Sequence, residues 1–259
     1  MKVTLNGCGL GYEVRGENGI PLVLIHGFGM DRQIWYEVVS TTLAKVHVIL
    51  VDVRGHGESD APEGPYSMSE MAGDILALLD YLMIPQAIIC GHSMGGYISL
   101  AVAAEYPDRL AGLALITSRA HADSEVQREN RFALIEKVRK EGSIALAETL
   151  APKLSRNAEI IKQAYDIILR TSPHGIIGST FAMAERPDRM DLLPKIDVAS
   201  LVVAGEEDQI VGIKEAKQMA ASIPQATFLP ITDVGHLPML EKPEDLGDGL
   251  ISLMEKVRG

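Results

Sequence analysis

Short, largely apolar runs alternate with amphipathic stretches along most of this chain. The runs at residues 22–25, 46–51, 87–90, 112–117, 200–204 and 227–229 carry too few polar positions for strands with one wet face. Strands apolar on both faces belong inside a parallel sheet covered by helices on both sides. The intervening segments supply those helices. Helical patterns span 32–45 (carrying Trp35), 67–83, 94–106, 213–223 and 243–257, and the opening residues 3–14 read as a hairpin. Ser67-Met68-Ser69-Glu70 has the form of a capping box, and Pro107 ends the helix before it. The expected fold is α/β, with a mostly parallel central sheet of about eight strands.

One stretch breaks the alternation. Residues 119–190 hold no strand-like run, while Phe132, Ile135 and Val138 have helical spacing, as do Ile160, Ala164 and Ile167. This predicts an insertion of roughly four helices. The chain then divides into a core (1–118), a helical cap (119–190) and the rest of the core (191–259). Placed after a strand end, the cap is expected to cover the site.

A parallel sheet gathers ligands at the carboxyl ends of its strands. The chemically distinctive residues of this sequence fall there. Gly91-His92-Ser93-Met94-Gly95 lies between a predicted strand and a predicted helix. A strand–turn–helix context is what a Gly-x-Ser-x-Gly motif needs to raise a serine hydroxyl out of the sheet. The pattern alone is weak, but Ser93 also sits at a helix N-terminus, where free N–H groups favour developing negative charge. Ser93 is therefore the expected nucleophile.

A serine nucleophile needs a base, an orienting acid and oxyanion donors. His236, in the loop Asp233-Val234-Gly235-His236-Leu237-Pro238, suits the base, because imidazole takes and returns a proton near neutral pH. Glu206, Glu207 and Asp208 follow the strand at 200–204 and all suit the acid by chemistry. The backbone N–H of Met94 is one expected oxyanion donor. The other falls in His26-Gly27-Phe28-Gly29, with Phe28 N–H the candidate. Met30, Phe181, Met183 and Leu237 are expected to line an apolar substrate pocket. His26 and His92 are read as structural or pocket-lining.

With these residues in place, the chain resembles the α/β-hydrolase fold serine hydrolases, of the compact carboxylesterase or enol-lactonase-like type with a helical cap. The resemblance covers nearly the whole chain and includes Asp52-Val53-Arg54-Gly55-His56-Gly57-Glu58-Ser59. It implies a catalytic order Ser93, Asp208, His236, and selects Asp208 over its two neighbours. It also makes 52–59 a structural turn, with Asp52 and Arg54 in one hydrogen-bond network, rather than a metal site built from Asp52, His56, Glu58 and Asp60. Relatives that use an aspartate nucleophile, such as dehalogenases and epoxide hydrolases, differ at the position of Ser93. Serine points instead to acyl transfer.

The expected activity is a carboxylic-ester hydrolase working through an acyl-enzyme. The alternatives are a lactonase, a C–C hydrolase, perhydrolysis as a side activity, and a small-molecule receptor on the same fold. No metal or organic cofactor is expected. The partner is a small-molecule ester or lactone. A formal charge of -11 disfavours nucleic acid. No membrane span, no signal-peptide core and two cysteines, Cys8 and Cys90, read as buried thiols, fit a cytoplasmic protein. The sequence sets neither the oligomeric state nor the natural substrate.

Overall fold

A computed structural model describes all residues, 1–259. Eight strands form one sheet: β1 (Lys2–Leu5), β2 (Cys8–Arg15), β3 (Leu22–Ile25), β4 (Val48–Val51), β5 (Ala87–His92), β6 (Leu110–Ile116), β7 (Ser200–Gly205) and β8 (Ala226–Ile231). Their order is β1-β2-β4-β3-β5-β6-β7-β8. The β1–β2 and β2–β4 pairs are antiparallel and all others parallel. Every residue of β3, β4, β5 and β7 is buried. Successive strand residues point to opposite faces, so both faces of the sheet centre are covered. The edge strand β8 is half-wet.

The helices are α1 (Tyr36–Ser40), α2 (Met68–Tyr81), α3 (Met94–Glu105), α4 (Glu125–Glu141), α5 (Ile144–Leu154), α6 (Ala158–Arg170), α7 (Pro173–Ala184), α8 (Ile213–Ser222), α9 (Pro238–Glu241) and α10 (Pro243–Arg258). α3 is buried at ten of its positions, from Met94 to Ala103. It packs against β5, β6 and α2, whereas α10 packs against β6, β7 and α1. Four helices, α4 to α7, stand between β6 and β7. No helix is long and apolar enough to cross a membrane.

Two elements depart from the sequence pattern. The helix expected at 32–45 is a single 3-10 turn, Arg32–Trp35, followed by the short α1. The reason is Ser40-Thr41-Thr42. Ser40 Oγ and Thr41 Oγ1 both donate to the Glu37 carbonyl, at 3.1 and 2.8 Å, and compete with continuation of the helix. The capping box at 67–70 is half formed. Ser67 Oγ accepts from Glu70 N–H at 3.0 Å, but the Glu70 carboxylate pairs with Arg54 instead of turning back.

α7 meets the core at one very close crossing. A Cβ on Gly175 would lie 1.8 Å from the Gly55 carbonyl oxygen. No side chain fits there without moving one of the two backbones, which costs about 1–3 kcal/mol in a packed interior. Gly175→Ala is therefore expected to lower the unfolding midpoint by about 5 °C in scanning calorimetry. An unchanged midpoint would mean that α7 is not seated on this loop.

Candidate active site

Ser93 is the single residue between β5 and α3, with φ 51 and ψ -112. This is left-handed backbone for a non-glycine residue, and it costs of order 1–3 kcal/mol unless the surroundings impose it. They do. A Cβ on Gly91 would sit 2.1 Å from the Gly95 carbonyl oxygen, and one on Gly95 would sit 2.5 Å from that of Ile25. Only glycine at both positions lets α3 start this close to β5 and β3. Ser93 itself is clamped, its N–H donating to the Ile116 carbonyl at 2.9 Å and its own carbonyl accepting from Ser118 Oγ at 2.8 Å.

His236 reaches the same place from the loop after β8. Its Nδ1 donates to Asp208 Oδ2 at 2.8 Å, and both side chains are nearly inaccessible to solvent. A carboxylate partner at Nδ1 puts the proton there, leaving Nε2 as the basic nitrogen. Asp208 is fixed in turn, because its Oδ1 accepts from the N–H groups of Ile210 and Val211 at 2.7 and 3.1 Å. Of its rivals, Glu207 pairs with Arg156 and Glu206 is exposed.

The His236 loop is tied down on several sides. The His236 carbonyl accepts from His92 Nε2 at 2.9 Å and Thr117 Oγ1 at 3.1 Å. Its N–H donates to the Leu154 carbonyl, at the end of α5, at 2.8 Å. Glu241 accepts from the N–H groups of Gly235 and Leu237 and from Ser155 Oγ.

The loop 27–29 is held by two histidines. His26 Nδ1 donates to the Gly27 carbonyl at 2.8 Å, while its Nε2 accepts from Val53 N–H at 3.1 Å. His56 Nδ1 donates to the Arg54 carbonyl at 3.1 Å, and its Nε2 accepts from Gly29 N–H at 3.2 Å. Each ring thus works as one donor and one acceptor, which only the neutral form can do. Burial pushes His56 down to about 3, and His26 and His92 likewise below their ordinary value. The N–H groups of Phe28 and Met94 donate to no other group of the protein.

Asp52 and Arg54, expected in one network, belong to two. Asp52 pairs with Arg32, whereas Arg54 pairs with Asp74, at 2.6 and 2.8 Å, and with Glu70. Glu58 also turns to Arg32, and Asp60 to Lys2. No three His, Cys, Asp or Glu side chains come together as a metal site. Cys8 and Cys90 are free and buried, and burial pushes the Cys90 thiol far up.

Ser93 and His236 line one cavity of about 180 Å³. Of the expected pocket residues, Met30 and Met183 line it, beside Phe28; Phe181 and Leu237 do not. Phe181 lies edge-on against Phe132, 5.8 Å between ring centres, and Leu237 is buried in the core. The cavity is also more polar than the sequence pattern suggests, with Arg119, Asp123 and Arg131 on its wall. Asp123 pairs with Arg131 at 2.9 Å and Arg186 at 2.7 Å. Burial pushes its carboxyl up, but the two arginines outweigh burial and hold it below the usual carboxylate range. Hydrophobic periodicity does not bring these charges together. Their available signal was the position of Arg119 and Asp123 just beyond β6, at the carboxyl edge of the sheet. A second chamber of about 660 Å³ opens between α4 and α5, and shares Phe28, Gln127, Arg131, Leu150 and Ile210 with the first.

The sequence matches the α/β hydrolase fold family over residues 20–243, and the chain belongs to that family. Among solved structures, a malate-bound thermophilic esterase from Thermogutta terrifontis is 37% identical. It superposes with a TM-score of 0.95 and covers 100% of this chain and 99% of its own. The enol-lactonase from Burkholderia xenovorans is 28% identical with a TM-score of 0.91, covering 98% and 100%. By sequence, 3-oxoadipate enol-lactonase 2 from Acinetobacter baylyi is 28% identical over 98% of this chain and 96% of its own length.

The neutral histidines carry a pH signature. A histidine whose folded pKa lies below its unfolded value contributes stability that is complete above about pH 6.5 and is lost as pH falls towards the folded pKa. For His56 the loss between pH 6.5 and 5 is about 2 kcal/mol. His56→Gln keeps one donor and one acceptor but takes up no proton. Urea titrations at pH 7 and pH 5 should show its stability falling by about 2 kcal/mol less than that of the wild type. Equal losses in both proteins would refute a neutral, buried His56.

Proposed function

We propose that this chain is a serine hydrolase that cleaves carboxylic esters through an acyl-enzyme. The observation that carries the proposal is the Asp208–His236 hydrogen bond of 2.8 Å, with Ser93 on a strained turn lining the same cavity as His236. Ser93 Oγ attacks the ester carbonyl as His236 Nε2 takes its proton. The carbonyl oxygen becomes an oxyanion and receives the N–H groups of Phe28 and Met94. Collapse of the tetrahedral intermediate expels the alcohol, which takes the proton from His236. A water then attacks the acyl-enzyme carbonyl, gives one proton to His236, and releases the acid as Ser93 recovers that proton. Asp208 keeps Nδ1 protonated and stabilises the imidazolium throughout.

Three further features support this scheme. The two donors have no competing partner in the protein, so they need not break a bond to receive the oxyanion. The helices of residues 119–190 act as a cap that supplies Arg131, Leu150 and Met183 to the cavity wall. Relatives of the same length include an esterase and enol-lactonases. The lactonases favour a second reading, hydrolysis of a cyclic ester by the same steps. There the leaving alkoxide stays attached to the acyl group until water releases both.

p-Nitrophenyl esters from acetate to decanoate, assayed with wild type and Ser93→Ala, test the proposal. Multiple turnovers that Ser93→Ala loses are expected, and equal rates in the two proteins would refute a serine mechanism. Asp208→Asn should lower kcat by about 10⁴, since the tautomer of His236 is no longer fixed. Glu206→Gln and Glu207→Gln should stay within about threefold of wild type. A large loss in either, with Asp208→Asn active, would reassign the acid.

A further inference from the structure

The polar wall of the cavity does not follow from ester hydrolysis, which needs no charge beyond the triad. Its charges are unequal. Arg119 and Arg131 line the cavity with a single carboxylate, Asp123, and Arg186 stands behind Asp123 as a second cation. Asp123 is therefore committed to its own two partners. Arg131 spends only Nε on it, at 2.9 Å, and neither Nη group bonds to the protein. Arg119 donates to the Ile210 carbonyl, and its buried Nε has no partner.

The outer chamber carries the same bias. Arg131, Lys137 and Lys153 line it, and no acidic residue does. The carboxylates beside Lys137 and Arg119, Glu141 at 3.6 Å and Glu215 at 3.7 Å, line neither chamber. In a chain of net charge -11, a basic passage ending at two guanidinium groups runs against the rest of the molecule. Arg131 belongs to both chambers, so it stands where the passage meets the cavity. A planar guanidinium with two free Nη groups matches a carboxylate in a two-bond fork.

We propose that the site selects esters or lactones that carry a free carboxylate, held by Arg131 with Arg119 and drawn in through the chamber lined by Lys137 and Lys153. The inference deepens the hydrolase reading above and rests on it for turnover, but the carboxylate subsite is testable by binding alone. Uncharged substrates lose the fork and the attraction along the passage.

The test compares half-esters with diesters: monomethyl succinate, glutarate and adipate against the dimethyl ester of each acid. The half-ester is expected to be preferred by about tenfold or more in kcat/KM. Arg131→Gln should cut that preference by about tenfold, chiefly through KM, and Arg119→Gln should cut it less. Arg186 still pairs Asp123 in the Arg131 variant, and the ratio of two substrates on one preparation corrects for any loss of folded protein. Added NaCl should lower kcat/KM for the half-ester and leave the diester nearly constant. Lys137→Gln together with Lys153→Gln should flatten that salt dependence. In parallel, calorimetry should detect glutarate binding to Ser93→Ala but not to Arg131→Gln, with glutaramide as the uncharged control. A diester turned over as well as its half-ester, or a preference unchanged in Arg131→Gln, would overturn the proposal. If nothing is hydrolysed while glutarate binds in an Arg131-dependent way, the subsite stands and the hydrolase reading falls. Absence of both half-ester preference and glutarate binding removes the subsite whatever the esters show.

Discussion

Two stretches of backbone, at Gly91 and Gly95, run closer than any Cβ allows, and the rest of the site depends on that approach. It brings the start of α3 against the ends of β5 and β3, and so forces Ser93 into backbone that serine avoids when free. The strain is local, but its support is not. Ile116 and Ser118 hold Ser93 from β6 and the residues after it, and His92 reaches across to the carbonyl of His236. A serine on an ordinary turn would relax to an extended conformation and lie against the sheet. Here the sheet and helix together hold it exposed to the cavity.

The histidines divide by chemistry rather than by position. His236 has a carboxylate at Nδ1 and lines the cavity. His26, His56 and His92 have none of their own. They are buried against carbonyls and amides, and each holds two segments of chain together as a neutral ring. Interior imidazole serves as a rigid connector here, because it offers a donor and an acceptor about as far apart as an amide side chain does, with fewer rotatable bonds. The cost is sensitivity to acid, since protonation of His26 or His56 turns the acceptor into a donor facing a backbone N–H.

Much of this was legible from the chain. The apolar runs marked the sheet because a buried parallel strand admits few polar residues, and residues 22–25 matched β3 without adjustment. Ser93 and His236 stood out because reactive residues at strand ends have few other duties, whereas only the family resemblance separated Asp208 from Glu206 and Glu207. What failed did so for physical reasons. The helix at 32–45 was cut short by hydroxyls that bond backward, an effect that hydrophobic periodicity does not register. Phe181 faced Phe132 rather than the cavity, because an apolar helical residue has several apolar neighbours to choose from. Arg119, Asp123, Arg131 and Arg186 were invisible as a group, since tertiary folding alone brings α4, the segment before it and the residues after α7 together.

The bond from His236 N–H to the Leu154 carbonyl bears on how molecules come and go. It fastens the end of α5 to the loop that carries His236, and Ser155 adds a second tie through Glu241. A hinge that swung α5 outward would carry His236 with it or tear these bonds, so access by that route would disarm the site each time it opened. The chamber between α4 and α5 already reaches the surface without such a swing. The site's opening to solvent and the integrity of its bonds are thus separate matters in this fold, since the chamber can admit a molecule while the His236 loop stays fastened to α5.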